Sequence, residues 1–214
     1  MRQAISALLM LSVAIATAIA AVQTDVDLLA IDEALTLIRS GSAPELERFN
    51  ELYRIKVEKA PVDYLEVVTP FRRIVLTGRA RAATGDRGFG QRQAIDLLAE
   101  AGGRLDVYAE ITLSPLNTYI GVPEYVVALV NSSGTRVPAT ETTRLSRWMA
   151  RRPGPPAVPP FEAPTIPRGS PLVGATVIAG FDLKELAPAG TYDVVVELGD
   201  KEVARATVAL SGMR

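Results

Sequence analysis

The stretch Leu105-Asp106-Val107-Tyr108-Ala109-Glu110-Ile111-Thr112-Leu113 decides how this chain is read. Aliphatic side chains hold every odd position, while Asp106, Tyr108, Glu110 and Thr112 hold the even ones. A two-residue period belongs to a β-strand with one buried face and one wet face. The same alternation, looser, predicts strands at 124–131, 171–181, 190–198 and 202–210, with a short one at 142–148. It also predicts a strand at 72–82, where Ile74, Leu76, Ala80 and Ala82 alternate with Arg73, Thr77, Arg79 and Arg81. Residues 91–101, closed by Gly102-Gly103, read as a short helix between strands.

The last two strands allow their register to be argued. A two-residue loop at Gly199-Asp200 with regular pairing would set Arg205 opposite Val194, on the apolar face. Centring the turn on Asp200 instead pairs Val196 with Ala204 and Val194 with Ala206, so an odd loop over 199–201 is expected.

Upstream of about Tyr64 the period lengthens to that of a helix. Leu28, Ile31, Leu35 and Ile38 fall on one face, with Thr24 or Asp25 as N-cap and Gly41 just past the end. Ser42-Ala43-Pro44-Glu45 is a capping-box pattern with Pro in the first turn, and Leu46, Phe49 and Tyr53 come next on one face. These two helices make a hairpin over 24–60. Eight of the fifteen prolines lie between Pro153 and Pro171, a density that forbids helix or central strand. The chain beyond Pro171 is too short to close a sandwich of its own, so 153–171 is read as a long crossover within one pair of sheets.

About seven antiparallel-style strands point to two packed sheets. Leu186-Ala187-Pro188-Ala189-Gly190-Thr191-Tyr192, leading into 193–198, resembles the turn and tyrosine before the penultimate strand of fibronectin type III and related immunoglobulin-like domains. That resemblance implies a "tyrosine corner", in which the hydroxyl ties back to upstream backbone, and it implies architecture only. The fold expected is mainly β: an immunoglobulin-like or fibronectin III-like β-sandwich over 62–214, preceded by the helical hairpin and a signal peptide.

Targeting is read from the first 20 of 214 residues. Arg2 is followed by an Ala/Leu/Ile-rich run with no further charge until Asp25, and Ala18-Ile19-Ala20 supplies the small-residue cleavage pattern. Cleavage after Ala20 leaves 22 basic against 24 acidic residues. The protein is therefore expected to be exported, periplasmic or secreted, touching membrane only through an uncleaved N-terminal segment. With no Cys and no His, disulfide scaffolds, zinc fingers, c-type haem, imidazole metal centres, Ser-His-Asp and Cys-His catalysis are excluded. No cofactor is expected. Asp25-Val26-Asp27 is the close acidic pair weighed for Ca²⁺, and acids in a first helical turn already suit the helix dipole.

Three features carry functional readings, each beside a plainer one. Residues 72–92 hold six bases and one acid, and Arg73, Arg79 and Arg81 are expected on one strand face as a dock for an acidic partner. Alternatively the N-terminal helices cover that face, since 25–66 holds ten acids against five bases. Arg144, Arg147, Trp148, Arg151 and Arg152 could stack on a carbohydrate or phosphate; the plainer reading is a buried Trp anchoring a solvated loop. Asp106 and Glu110, four apart on one strand, would give a carboxylate-dependent, glycan-acting enzyme, or else form the solvent side of the strand. Gly85-Asp86-Arg87-Gly88-Phe89-Gly90 matches no phosphate-loop spacing and reads as a surface loop, while Asn131-Ser132-Ser133 is a glycosylation sequon. The expected role is non-catalytic: binding a protein or envelope component, acidic where the arginines Arg73, Arg79, Arg81, Arg144 and Arg147 meet it beside Trp148, with no nucleic acid as partner.

Overall fold

The computed structural model describes residues 26–57, 59–116, 119–149 and 171–214. The expected signal peptide, and the Pro-rich segment apart from Pro171, lie outside the described residues. α1 (Leu28–Ser40) begins where Asp27 accepts a hydrogen bond from Ala30 N at 2.8 Å, so the cap is later than Thr24 or Asp25. The buried stripe is Ala30, Ile31, Ala34 and Leu35, and Leu28, expected on that face, is 58% exposed. α2 (Ala43–Glu51) opens with the expected capping box: the Glu45 carboxylate accepts from Ser42 N at 2.8 Å, which holds the Glu45 carboxyl below its usual range. Tyr53 falls just beyond the helix and meets Phe49 at 5.0 Å between ring centres.

The stretch 72–82 is not a strand. It lies within α3 (Pro70–Ala83), started by Thr69 as N-cap and Pro70 in the first turn. Phe71, Ile74, Val75 and Gly78 are the apolar and small side of its buried positions, a helical spacing that outweighs the alternation of Arg73, Arg79 and Arg81. At 100° per residue, Arg73, Arg79 and Arg81 fan around the helix instead of sharing a face. α4 (Gln91–Ala101) matches its expected bounds and ends at Gly102, whose φ of 61° is the left-handed conformation a C-cap glycine supplies. α1, α3 and α4 pack on one another around Ile31, Ala34, Ile74, Phe89 and Ala94. The chain is thus mixed α/β, not mainly β.

Among the described residues, nine strands form two antiparallel sheets packed as a sandwich. One has the order β1 (Arg54–Lys56), β2 (Val62–Val68), β3 (Arg104–Thr112), β7 (Leu172–Asp182), β6 (Glu141–Trp148). The other runs β5 (Arg136–Pro138), β4 (Tyr125–Asn131), β8 (Thr191–Leu198), β9 (Lys201–Ala209). Leu65, Val107, Ala109, Val177 and Phe181 from the first sheet meet Val127, Leu129, Val194 and Val196 from the second in one buried core. Trp148 pairs with Leu172, so the connection across the Pro-rich stretch joins neighbouring antiparallel strands.

The closing hairpin pairs Val194 with Ala206 and Val196 with Ala204, as expected, but through a different device. Leu198 pairs with Lys201 across the two-residue turn Gly199-Asp200, and Val203 is an extra residue in a bulge that restores the register. At the start of β8, the Tyr192 hydroxyl accepts a hydrogen bond from Ala187 N at 2.7 Å, tying the strand back to the preceding turn.

Candidate functional site on the outer face of the five-stranded sheet

The even positions of β3 point away from the sandwich core, and their neighbours are set by register. Asp106 lies beside Gly180 of β7, which lies beside Glu141 of β6; Thr112 lies beside Gly174, which lies beside Arg147. The two glycines clear a path for two arginine straps. Arg104 crosses Gly180 to reach Glu141, and Arg147 crosses Gly174 to reach Glu110. A Cβ at Gly180 would stand 2.6 Å from Arg104 Cδ, and one at Gly174 would stand 2.6 Å from the Ile111 carbonyl oxygen as well as on the Arg147 guanidinium.

Asp106 is the most enclosed carboxylate here, 1% exposed. Arg73 of α3 donates to its Oδ2 at 2.9 Å, and Arg104 Nε lies 2.8 Å from its Oδ1 as a close ion pair. Glu110 accepts from Thr176 Oγ1 at 2.7 Å in addition to Arg147. Tyr108, between the two acids, has its hydroxyl pushed up by burial and then by the Asp106 charge.

A second buried group joins this face to the helices. Arg72, also 1% exposed, pairs with Glu66 on β2, donates to the Val67 carbonyl at 2.6 Å and lies 4.7 Å over the Tyr53 ring. Desolvation lowers the Arg72 pKa and the Glu66 charge opposes that, yet an arginine stays charged in any protein setting. Burial likewise pushes the Tyr53 hydroxyl up. Arg72 and Arg73, adjacent in sequence, therefore fasten α3 to the sheet at two carboxylates.

This arrangement bears on the acid pair Asp106 and Glu110. Four residues along a strand separate their Cα atoms by roughly 13 Å. Glycosidase carboxyls stand about 5 to 9.5 Å apart. Their charges are also balanced by three arginines, so both act here as counter-ions.

The six residues expected to bind are dispersed. Arg73 is held by Asp106 and Arg147 by Glu110. Arg81 pairs loosely with Asp86 at 3.8 Å and lies over Phe89, whose buried ring anchors the 85–90 loop to the helices. Arg144 donates to the Tyr125 carbonyl of the opposite sheet at 3.1 Å. Trp148 packs partly against the sandwich core and its indole N–H donates to Ser146 at 3.0 Å. Arg79 has no ion-pair partner among the described residues and lines a polar cleft of about 440 Å³ with Glu47, Glu51, Arg54 and Lys56. Asn131 uses its side-chain oxygen to accept from Ser133 N and Thr135 N, building the turn after β4. Asp27 is committed to capping α1, and Asp25 lies outside the described residues.

Arg72, Glu66, Arg104, Gly174 and Gly180 do not stand out in the sequence. Glycines within an otherwise alternating strand flanked by arginine-bearing strands are the available signal, but using it requires the strand order. No protein-family model, curated protein or solved structure matches the chain.

Proposed function

We propose that the chain is an exported, non-catalytic immunoglobulin-like β-sandwich that binds another macromolecule or supports an assembly of the cell envelope. The observation that supports this reading is the pairing of Asp106 and Glu110 with Arg73, Arg104 and Arg147, which ties both carboxylates into the outer face of the sheet. Architecture supports it as well. Lettered from β2 to β9, the strands fall in the order A-B-E-D and C′-C-F-G, and Tyr192 opens strand F with its hydroxyl tied back to Ala187. The apolar start ending at Ala18-Ile19-Ala20 supports export.

Because Arg73 and Arg147 hold the fold together, Arg79 is the arginine of the expected set left for a partner. Affinity capture from envelope extracts with the purified protein tests the role: a specific partner is expected, with reduced recovery for Arg79→Glu. Recovery of nothing specific, from a protein that stays monomeric, would overturn the binding role.

A further inference from the structure

A cleft of about 600 Å³ opens between α1 and α2, away from the sheet face above. Leu29, Asp32, Glu33, Thr36, Leu37 and Ser40 line it from α1, spacings of 3 and 1 that place them on one face for about 16 Å, three helical turns. Phe49 and Glu45 face it from α2, with Phe71 of α3 and Arg214 completing the lining. Its apolar part is Leu29, Leu37 and the two phenylalanines. Leu29 is 70% exposed, and neighbouring Leu28 extends the uncovered surface.

The charged part is one-sided. Three acids line the cleft against one base, and that base, Arg214, is already paired with Glu33. Asp32 has no side-chain partner among the described residues, although it stands on the rim of an apolar groove where a cation would be favoured. We propose that this groove is the docking site of an amphipathic helix of a partner protein, about three turns long, placing leucine-like side chains on Leu29, Leu37 and Phe49 and a Lys or Arg beside Asp32. This rests on the binding role above and gives it a surface separate from the Arg79 cleft.

The test uses the full chain and a fluorescently labelled 15-residue Leu/Lys amphipathic peptide, with a Leu/Glu peptide of the same pattern as control, read by anisotropy. Leu29→Glu and Asp32→Lys alter exposed side chains, and circular dichroism checks that both variants keep the fold. The Leu/Lys peptide is expected to bind, at least tenfold more weakly to each variant and more weakly in 0.5 M than in about 0.1 M salt. Equal binding of the two peptides, binding indifferent to both substitutions, or no binding would overturn the proposal. So would concentration-dependent dimerisation abolished by Leu29→Glu, which would make a second copy the occupant. An envelope partner captured equally by wild type and Leu29→Glu would remove this groove and leave the binding role standing.

Discussion

Replacing Asp106 with Asn separates a structural carboxylate from a catalytic one. The substitution keeps the shape and removes the charge, leaving Arg73 at 2.9 Å and Arg104 at 2.8 Å around a neutral amide that is itself enclosed. Removing one partner of a buried ion pair costs about 3–5 kcal/mol. Arg73 and Arg104 keep 14% and 32% of their side-chain surface in water and regain some hydration, which places the expected loss at about 3 kcal/mol. For a chain of this size each kcal/mol lowers Tm by roughly 2–4 °C, so thermal unfolding followed by circular dichroism is expected to shift down by about 6–12 °C. Glu202→Gln, at the exposed pair with Arg205, is the control and is expected to cost less than about 1 kcal/mol. An Asp106→Asn protein melting within about 2 °C of wild type would refute the reasoning, because that is the behaviour of an acid on a solvated face.

Gly174→Ala is expected to lose about 1–3 kcal/mol in urea unfolding, and more than Gly180→Ala, because its new methyl meets the rigid Ile111 carbonyl and not only a movable arginine; equal losses would contradict the strap geometry. Tyr192→Phe removes the hydrogen bond to Ala187 N and is expected to cost about 1 kcal/mol by the same assay, with no change indicating that the turn stands without it. Hydrogen bonding from Arg136 holds the Glu197 carboxyl below its usual range, and Thr207 does the same first for Asp193, with Arg205 adding to it. A carboxyl lowered in the folded state stabilises above its unfolded value of about 4 and loses that contribution as pH falls through the folded value. Melting temperature is therefore expected to drop below about pH 4, less steeply in Glu197→Gln, and an identical profile for that variant would exclude the pair as a contributor.

The parts of the fold that could be read from sequence were those where local pattern and tertiary burial agree. Residues 105–113 alternate and, Asp106 apart, are buried accordingly, the 42–45 capping box closes as its residue types require, and Gly102 stops α4. Stretch 72–82 misleads because its arginines happen to fall on alternate positions, while the informative signals, Thr69-Pro70 and the 71-74-75-78 stripe, straddle the window in which alternation is seen. The Gly199 hairpin shows a subtler failure: the apolar pairing dictated the register, but a bulge at Val203 and an odd loop satisfy that pairing equally well. The outer-face lattice was illegible for a different reason. Arg147 and Glu110 are 37 residues apart and meet across a third strand, so nothing local relates them.

Asp106 and Glu110 are paired with Arg73, Arg104 and Arg147, and the proposed role takes them as counter-ions and not as an acid and a base. Release of new reducing ends from a panel of envelope and extracellular glycans, followed between about pH 4 and 8, measures it directly. No release above the buffer rate is expected from the wild-type protein. Release by wild type that Glu110→Gln abolishes, with the melting temperature unchanged, would contradict it.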